Sequence, residues 1–270
     1  MSIHTMVPPS PSLAKFISEV HQRADFFDFL SNSSASQKEL NQELDKSQST
    51  IYRGLNSMEE YGLIEKQDDG YQLTPFGMLI FEEYRRFSKT INSIFQNREV
   101  FDTKQPINKV LHPSLFQGAE IISTNNHVVE EIYKKLQSSV SEATHIYGAL
   151  PTIFPSQVDL HLEKTTVDDL TAEFILPHRA IEYLQSNFNG KIDTLYNSGD
   201  YSIRVSQEAP PIGLITVLEP TKKVVIVIHD EIGTIRGLVV SENLESIRWA
   251  KDTYQDFRED SISFEAYTTT

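Results

Sequence analysis

The sequence predicts an α+β chain of two domains: a helical N-terminal domain closed by a β-hairpin, then a C-terminal α/β domain. Apolar residues recur at helical spacing through the first hundred positions, interrupted by one Asp-Gly hairpin signal. Beyond about Arg98, helical stretches alternate with short apolar runs of strand length. With 270 residues, and roughly 150 per domain as a guide, the chain has room for two cores. The expected boundaries are residues 10–100 and 105–270.

After the Pro8, Pro9, Pro11 cluster, Phe16, Val20, Ala24, Phe27 and Leu30 predict one helix with a single buried face. Ser31 to Ala35 breaks it. Ser36 with Glu39 forms a capping-box pattern that opens a second helix, with Leu40 and Leu44 inward. A tight turn at Asp45-Lys46 leads to a third helix starting at Ser47 or Ser49. It buries Ile51, Leu55 and Met58 and ends at Tyr61-Gly62, with Gly62 as a left-handed cap. Leu63 to Gln67 and Tyr71 to Leu73, joined by Asp68-Asp69-Gly70, form the hairpin. Thr74-Pro75 then starts a long helix with Pro at its first position. On it Ile80, Tyr84, Phe87, Ile91 and Ile94 make a short heptad-like stripe, read as a dimer seam or else as a face that packs on the first helix or the second domain.

In the C-terminal part, helices are expected over Val128 to Val140, Pro177 to Ser186 and Leu244 to Phe257. Strands are expected over Glu120 to Ser123, His145 to Leu150, Leu170 to Leu176 and Ile192 to Tyr196. Four more follow over Ile203 to Val205, Gly213 to Leu218, Val224 to His229 and Leu238 to Val240. The last strands come in quick succession, which predicts antiparallel pairing. Asn197-Ser198-Gly199-Asp200 and Lys222-Lys223 read as turns, and Thr268-Thr269-Thr270 as a polar tail.

Composition bounds the function. No apolar run approaches the ~18–20 residues of a membrane span, and the Pro- and Ser-rich start lacks a signal peptide's basic and apolar segments. Cys is absent, so disulfides and thiolate metal sites are excluded. These signs point to the cytoplasm. The net charge of −14 sets a constraint for any partner that carries phosphate. Residues 1–97 hold 9 Lys+Arg against 13 Asp+Glu, and residues 98–270 hold 15 against 25, so most of the acidity lies in the second domain. A strongly acidic surface also suits a high-salt cytoplasm, where long-range attraction is screened.

Helix, helix, tight turn, helix, hairpin, helix is the winged helix-turn-helix plan. Its third helix carries a polar face of Ser47, Gln48, Ser49, Thr50, Tyr52, Arg53 and Asn56, opposite the apolar residues that anchor it. Such a helix fits the major groove of double-stranded DNA. Arg53 has the reach and fork geometry for guanine, and Asn56 for adenine. The hydroxyls and free N–H groups at the helix start suit phosphate, as do Lys46 and Lys66 of the wing.

Gln37 to Leu73, continued by Thr74-Pro75-Phe76-Gly77, resembles archaeal and especially haloarchaeal winged-helix regulators. The matching pieces are Ser47-Gln48-Ser49-Thr50, Arg53, Met58-Glu59-Glu60-Tyr61-Gly62-Leu63-Ile64 and Leu73-Thr74-Pro75-Phe76-Gly77. The C-terminal half resembles the effector domain of the methanogenesis-regulator (FilR-type) family. There the matching pieces are Pro210-Pro211-Ile212-Gly213-Leu214, Asp230-Glu231-Ile232-Gly233, Gly237-Leu238-Val239-Val240 and Trp249-Ala250. The resemblance implies one half of a phospholipase D-like fold. Enzymes of that fold use His-x-Lys-x-x-x-x-Asp, with His as nucleophile and Lys as phosphate holder. Here Pro211, Gly213 and Leu218-Glu219 stand on the strand where the motif is expected, and none serves either role. His161-Leu162-Glu163-Lys164 has the wrong spacing.

The expectation is therefore a DNA-binding transcription regulator, a homodimer, with a non-catalytic effector domain that answers a small molecule or a partner. No cofactor is expected, nor a metal, since the eight His residues show no metal-ligand spacing. His178-Arg179 follows Pro177 at a strand end, where α/β pockets tend to lie, and reads first as a helix-capping or salt-bridge pair and second as a ligand contact; the ligand-binding residues are not assigned. The alternatives are a phosphodiesterase or nuclease with a degenerate site, and a winged-helix scaffold in a protein assembly.

Overall fold

The computed structural model describes residues 12–124, 129–153, 158–159, 161–164, 170–197 and 200–269. The chain is mixed α+β and divides into two compact units, Met1–Ser88 and Lys89–Thr270.

The first unit holds α1 (Leu13–Gln22), α2 (Ala24–Leu30), α3 (Gln37–Glu43) and α4 (Gln48–Glu60). An antiparallel hairpin of β1 (Ile64–Gln67) and β2 (Gly70–Leu73) follows, then the start of α5 (Pro75–Gln96). The single helix expected over residues 16–30 is two helices. Arg23 leaves helical dihedrals (φ −112°, ψ 15°), and its guanidinium pairs back to Glu19 at 3.1 Å. A straight helix would carry Phe26 roughly 120° around from Val20. The break lets Val20, Phe26, Phe27 and Leu30 enter one core with Leu40, Ile51, Leu55, Met58, Leu63 and Phe81. Phe27 stacks on Phe81, with ring centroids 5.2 Å apart.

The punctuation in the sequence does its expected work. Ser36 and Glu39 form a capping box at α3, and the side-chain and backbone groups of Ser36 that bind the Glu39 carboxylate hold its pKa below the usual range. Gly62 takes φ +69°. Gly70, at φ +139°, also meets the edge formed by Ala35: a Cβ there would lie 2.4 Å from the Ala35 carbonyl. Ala35 and Tyr71 exchange two backbone hydrogen bonds, of 2.9 and 2.8 Å, which tie the hairpin to the helices. Thr74 accepts from the Gly77 N–H at 2.9 Å and donates to the Gly62 carbonyl at 2.6 Å.

The second unit is built on an eight-stranded sheet of order β10-β6-β5-β4-β7-β8-β9-β3. The strands are β3 (Glu120–Ser123), β4 (His145–Ala149), β5 (Thr171–Pro177) and β6 (Tyr201–Ser206), then β7 (Gly213–Glu219), β8 (Lys223–His229), β9 (Ile235–Ser241) and β10 (Ser261–Ser263). β4, β5 and β6 run parallel, and β7, β8, β9 and β3 continue antiparallel from β4. Both faces are covered, as the unbroken apolar run of β8 requires. Val225 and Val227 enter one core with residues of α6 (Val129–Val140) and α7 (His178–Asn197). Val224, Ile226 and Ile228 enter the other, with Ala250 and Tyr254 of α8 (Leu244–Glu259).

Two readings of this half change. Ile192 to Tyr196, expected as a strand, belongs to α7, whose Ile192 and Leu195 are buried three residues apart on one helical face. The last residues form β10 and a short α9 (Phe264–Thr269) rather than only a tail. β10 is three residues long, too short to show a period, and is held by Arg204, which donates to the Ser261 side chain at 2.9 Å and its carbonyl at 2.7 Å. The turn expected at residues 197–200 falls largely outside the described residues. His161 and Lys164 are buried structural groups. Nδ1 of His161 lies 2.9 Å from the Tyr201 hydroxyl, and Lys164 donates to the Ala143 carbonyl at 3.1 Å. No helix among the described residues is long and apolar enough to cross a membrane.

Burial, helped by the Lys164 charge, pulls the His161 pKa from 6.5 to about 4. The unfolded chain therefore binds this proton more readily than the folded one. Its contribution to stability is complete above pH 6.5 and is lost as the pH falls towards 4. Thermal unfolding across that window should show a shallower pH dependence for His161→Phe than for the wild type, and equal slopes would contradict the assignment. A second test concerns packing. A Cβ on Gly77 would lie 1.9 Å from the Leu63 carbonyl oxygen, whereas one on Gly190 would meet nothing within 4 Å. Gly77→Ala should cost about 1–3 kcal/mol in urea unfolding, while Gly190→Ala is neutral or stabilises by up to ~1 kcal/mol.

Candidate nucleic-acid interface

α4 is amphipathic by sequence and by position. Ile51, Leu55 and Met58 are fully buried, and Gly54 lies between them against α2. A Cβ at Gly54 would come within 2.6 Å of the Phe26 ring. A side chain there would push the helix outward, so glycine sets how deeply α4 seats. The opposite face is open: Gln48, Ser49, Tyr52, Arg53 and Asn56 are exposed, Tyr52 by 56%.

The start of α4 is organised by hydroxyls. Ser47 is the N-cap, with extended dihedrals, and its Oγ accepts from the Thr50 N–H at 3.2 Å. The same oxygen lies 3.0 Å from Ser49 Oγ and 2.8 Å from Thr50 Oγ1. The first turn has no acidic residue, so its N–H groups and partial positive charge are unopposed. Ser47 and Thr50 thus serve first as helix-capping groups, and Ser49 stands more freely beside them. Arg53 is exposed, and its Nε donates to the Ser49 carbonyl at 3.2 Å, which lays the guanidinium along the helix towards the N-terminus.

Of the two expected lysines, one is engaged and one is free to project. Lys46 pairs with Asp25 at 2.8 Å, each about one-third exposed, so it links the turn before α4 to α2. Lys66 sits on the exposed edge of β1 with its ammonium 5.9 Å from the Tyr71 ring centre. Glu65 beside it accepts from Gln67 at 3.2 Å and Gln72 at 2.7 Å.

The α5 stripe, expected as a dimer seam or as a packing face, is divided: part of it packs and part is exposed. Ile80 and Tyr84 pack against the first unit's core, and the Tyr84 hydroxyl lies 2.5 Å from His21 Nδ1. Ile94 packs against a core of the second unit. Phe87 (59%) and Ile91 (49%) remain exposed, joined by Phe95 (60%), which the heptad reading missed. The exposed residues follow a spacing of four rather than seven, as a straight helix of 3.6 residues per turn drifts off a strict heptad.

Residues 12–94 match the family described as the HVO_A0261 N-terminal domain, and residues 129–260 match the family described as the methanogenesis regulatory protein FilR1, middle domain. The chain is thus similar to the first family over its N-terminal part and to the second over its C-terminal part. The HVO_A0261-type match contains α1 to α4, the hairpin and nearly all of α5, and the FilR1-type match runs from α6 to the end of α8. No curated protein sequence matches the chain.

Among solved structures, an archaeal chromatin protein, TrmBL2, described as showing a novel mode of DNA binding, is 14% identical, with a TM-score of 0.40 over 92% of this chain and 98% of that one. NucT from Helicobacter pylori is 12% identical, with a TM-score of 0.41 over 54% of this chain and 98% of that one. The riboflavin-derivative dimethyltransferase RosA from Streptomyces davawensis is 10% identical, with a TM-score of 0.26 over 72% and 63%. Scores this low establish no shared fold.

The Ser47 cap separates a structural role from a contact role. Ser47→Ala should lower the stability of the first unit by about 1 kcal/mol, and Ser47→Gly by only a few tenths, read from urea midpoints. If Ser47→Ala leaves the midpoint unchanged, the Thr50 N–H does not depend on that oxygen.

Proposed function

We propose that this protein is a DNA-binding transcription regulator whose first unit is a winged helix-turn-helix and whose α4 enters the major groove. The observation that carries the reading is the geometry of α4. One face is fully buried by Ile51, Leu55 and Met58, while Gln48, Ser49, Tyr52, Arg53 and Asn56 face solvent beside a hairpin that projects Lys66. A match to a regulatory-protein family over residues 129–260 supports the same reading from the other half of the chain.

In this proposal the domains are residues 10–100, which read DNA, and 105–270, an effector domain of the phospholipase D-like kind. The effector domain is non-catalytic, because Pro211 and Gly213 occupy the positions expected for nucleophile and phosphate holder. Arg53 and Asn56 read base edges. Ser47, Ser49, Thr50 and Tyr52, with the free N–H groups of α4, line the phosphate backbone, and Lys46 and Lys66 flank it. Two copies pair through α5, with Phe87 and Ile91 of the residues Ile80, Tyr84, Phe87, Ile91 and Ile94 forming the outward part of the seam. Paired reading helices about 34 Å apart would match half-sites one turn of B-DNA apart. A ligand or partner of the effector domain acts by population shift, favouring the arrangement that fits the operator or the one that does not. The setting is the cytoplasm of an archaeal cell.

The test is a fluorescence titration against a duplex selected from a random pool by the full chain. Arg53→Ala should lose about 1–3 kcal/mol at the selected site and relax preference at one base pair. Lys66→Ala should weaken binding evenly across sequences and reduce the salt slope by about one. Failure to select any duplex, or an Arg53→Ala variant with full affinity and preference, would overturn the groove reading.

A further inference from the structure

The apolar core of the second unit is not completely filled. Between the sheet and helices α6 and α7 lies a cavity of about 60 Å³, roughly the liquid volume of two waters at ~30 Å³ each. Leu136 and Val140 reach it from α6, Leu184 and Ile192 from α7, and Ile203 and Val227 from β6 and β8. Protein interiors pack to crystal density and hold few voids of this size. An unfilled one costs stability, so an occupant that fills it is favoured.

The lining is neutral. Among the described residues no Asp, Glu, Lys or Arg lines the cavity, and its polar side chains are His161 and Tyr201. These two meet each other, with Nδ1 of His161 2.9 Å from the Tyr201 hydroxyl, and the His161 ring stacks on Phe174 at 5.2 Å between centroids. Burial keeps the imidazole uncharged down to about pH 4. Lys164, whose charge acts on His161, turns its ammonium to the Ala143 carbonyl and is not part of the lining. A charged guest would give up its hydration for no partner, whereas an apolar cavity stays dry and accepts apolar guests.

The helical wall is broken where it crosses the cavity. Phe188 leaves helical dihedrals (φ −137°, ψ 21°), with Leu184 before the break and Ile192 and Leu195 after it. Two residues on, Gly190 has open space where a side chain would stand, so packing does not demand glycine there. A hinge of this kind lets the two halves of α7 part without unfolding, which gives a guest a way in.

We infer that this cavity is a binding site for a small, neutral, apolar molecule of about three carbon atoms. Binding itself rests only on the second unit. As the effector in the scheme above, the guest rests also on the gene-control reading.

The experiment is methyl NMR of the full chain, labelled at Ile, Leu and Val and titrated with xenon and with cyclopropane. Both should give saturable shifts at Val140, Leu184, Ile192 and Ile203, cyclopropane with a midpoint of about 1–10 mM. Ile51 and Leu55 of the first unit should not move. Propionate, also of three carbons but charged, should shift none of them. Val140→Ile combined with Val227→Ile fills the space and should remove the saturable shifts. Leu184→Ala enlarges it and should admit benzene, which the wild type excludes.

Absence of saturable shifts with both guests would overturn the site. So would propionate binding as tightly as cyclopropane, cyclopropane binding that survives in a folded double variant, or a Leu184→Ala chain that takes no benzene. A duplex titration separates the two readings. Saturating cyclopropane should change the wild-type affinity by about fivefold or more and leave that of the filled variant unchanged. An unchanged wild-type affinity would overturn the effector role. Loss of all DNA binding with intact methyl shifts leaves the cavity standing, and the reverse leaves the reading helix standing.

Discussion

The approach of α4 to α2 at Gly54 governs what the first unit can present. With no side chain at that position, the helix seats against Phe26, and Ile51, Leu55 and Met58 reach full burial in one turn-by-turn row. Seating fixes rotation as well as depth, since the buried row and the polar row lie on opposite sides of one rigid helix. The side from which Arg53 and Asn56 leave the helix is therefore set by core packing, and the bond from Arg53 to the Ser49 carbonyl then lays the guanidinium along the helix. The Ser47 cap then sets where the helix begins and which N–H groups are left free.

Electrostatics assign this surface a local role. A chain of net charge −14 gains little from long-range attraction to phosphate. Of the cations near α4, Lys46 is shared with Asp25, so the contribution open to a partner comes from Arg53, Lys66 and the dipole of the helix start. Short-range hydrogen bonds of fixed geometry suffer least when salt screens the rest.

Much of this was legible in the sequence wherever a local rule acts alone. The capping box at Ser36 and Glu39, the left-handed Gly62 and the doubly buried β8 follow from spacing and residue type, as does the hairpin, although Gly70 belongs to its second strand and the loop is only Asp68-Asp69. The departures come where tertiary demands compete. The periodicity of residues 16–30 fits one helix, but burying Phe26 together with Val20 requires the break at Arg23. Ile192 and Leu195, three apart, share a helical face but not a strand face, and helix resumes there after the kink at Phe188 (φ −137°, ψ 21°). The exposed face of α4 was readable because amphipathicity reports burial directly. The pairing of Lys46 with Asp25 was not, since it depends on residues brought together only by the fold.

Hydrogen exchange at single-residue resolution, with and without a duplex selected by the full chain, tests the central claim most directly. The free N–H groups of Gln48 and Ser49 should exchange fast in the isolated protein and slow in the complex, together with the hairpin around Lys66. Unchanged exchange at Gln48 and Ser49 in a saturated complex, with protection confined to other surfaces, would contradict a groove-facing α4.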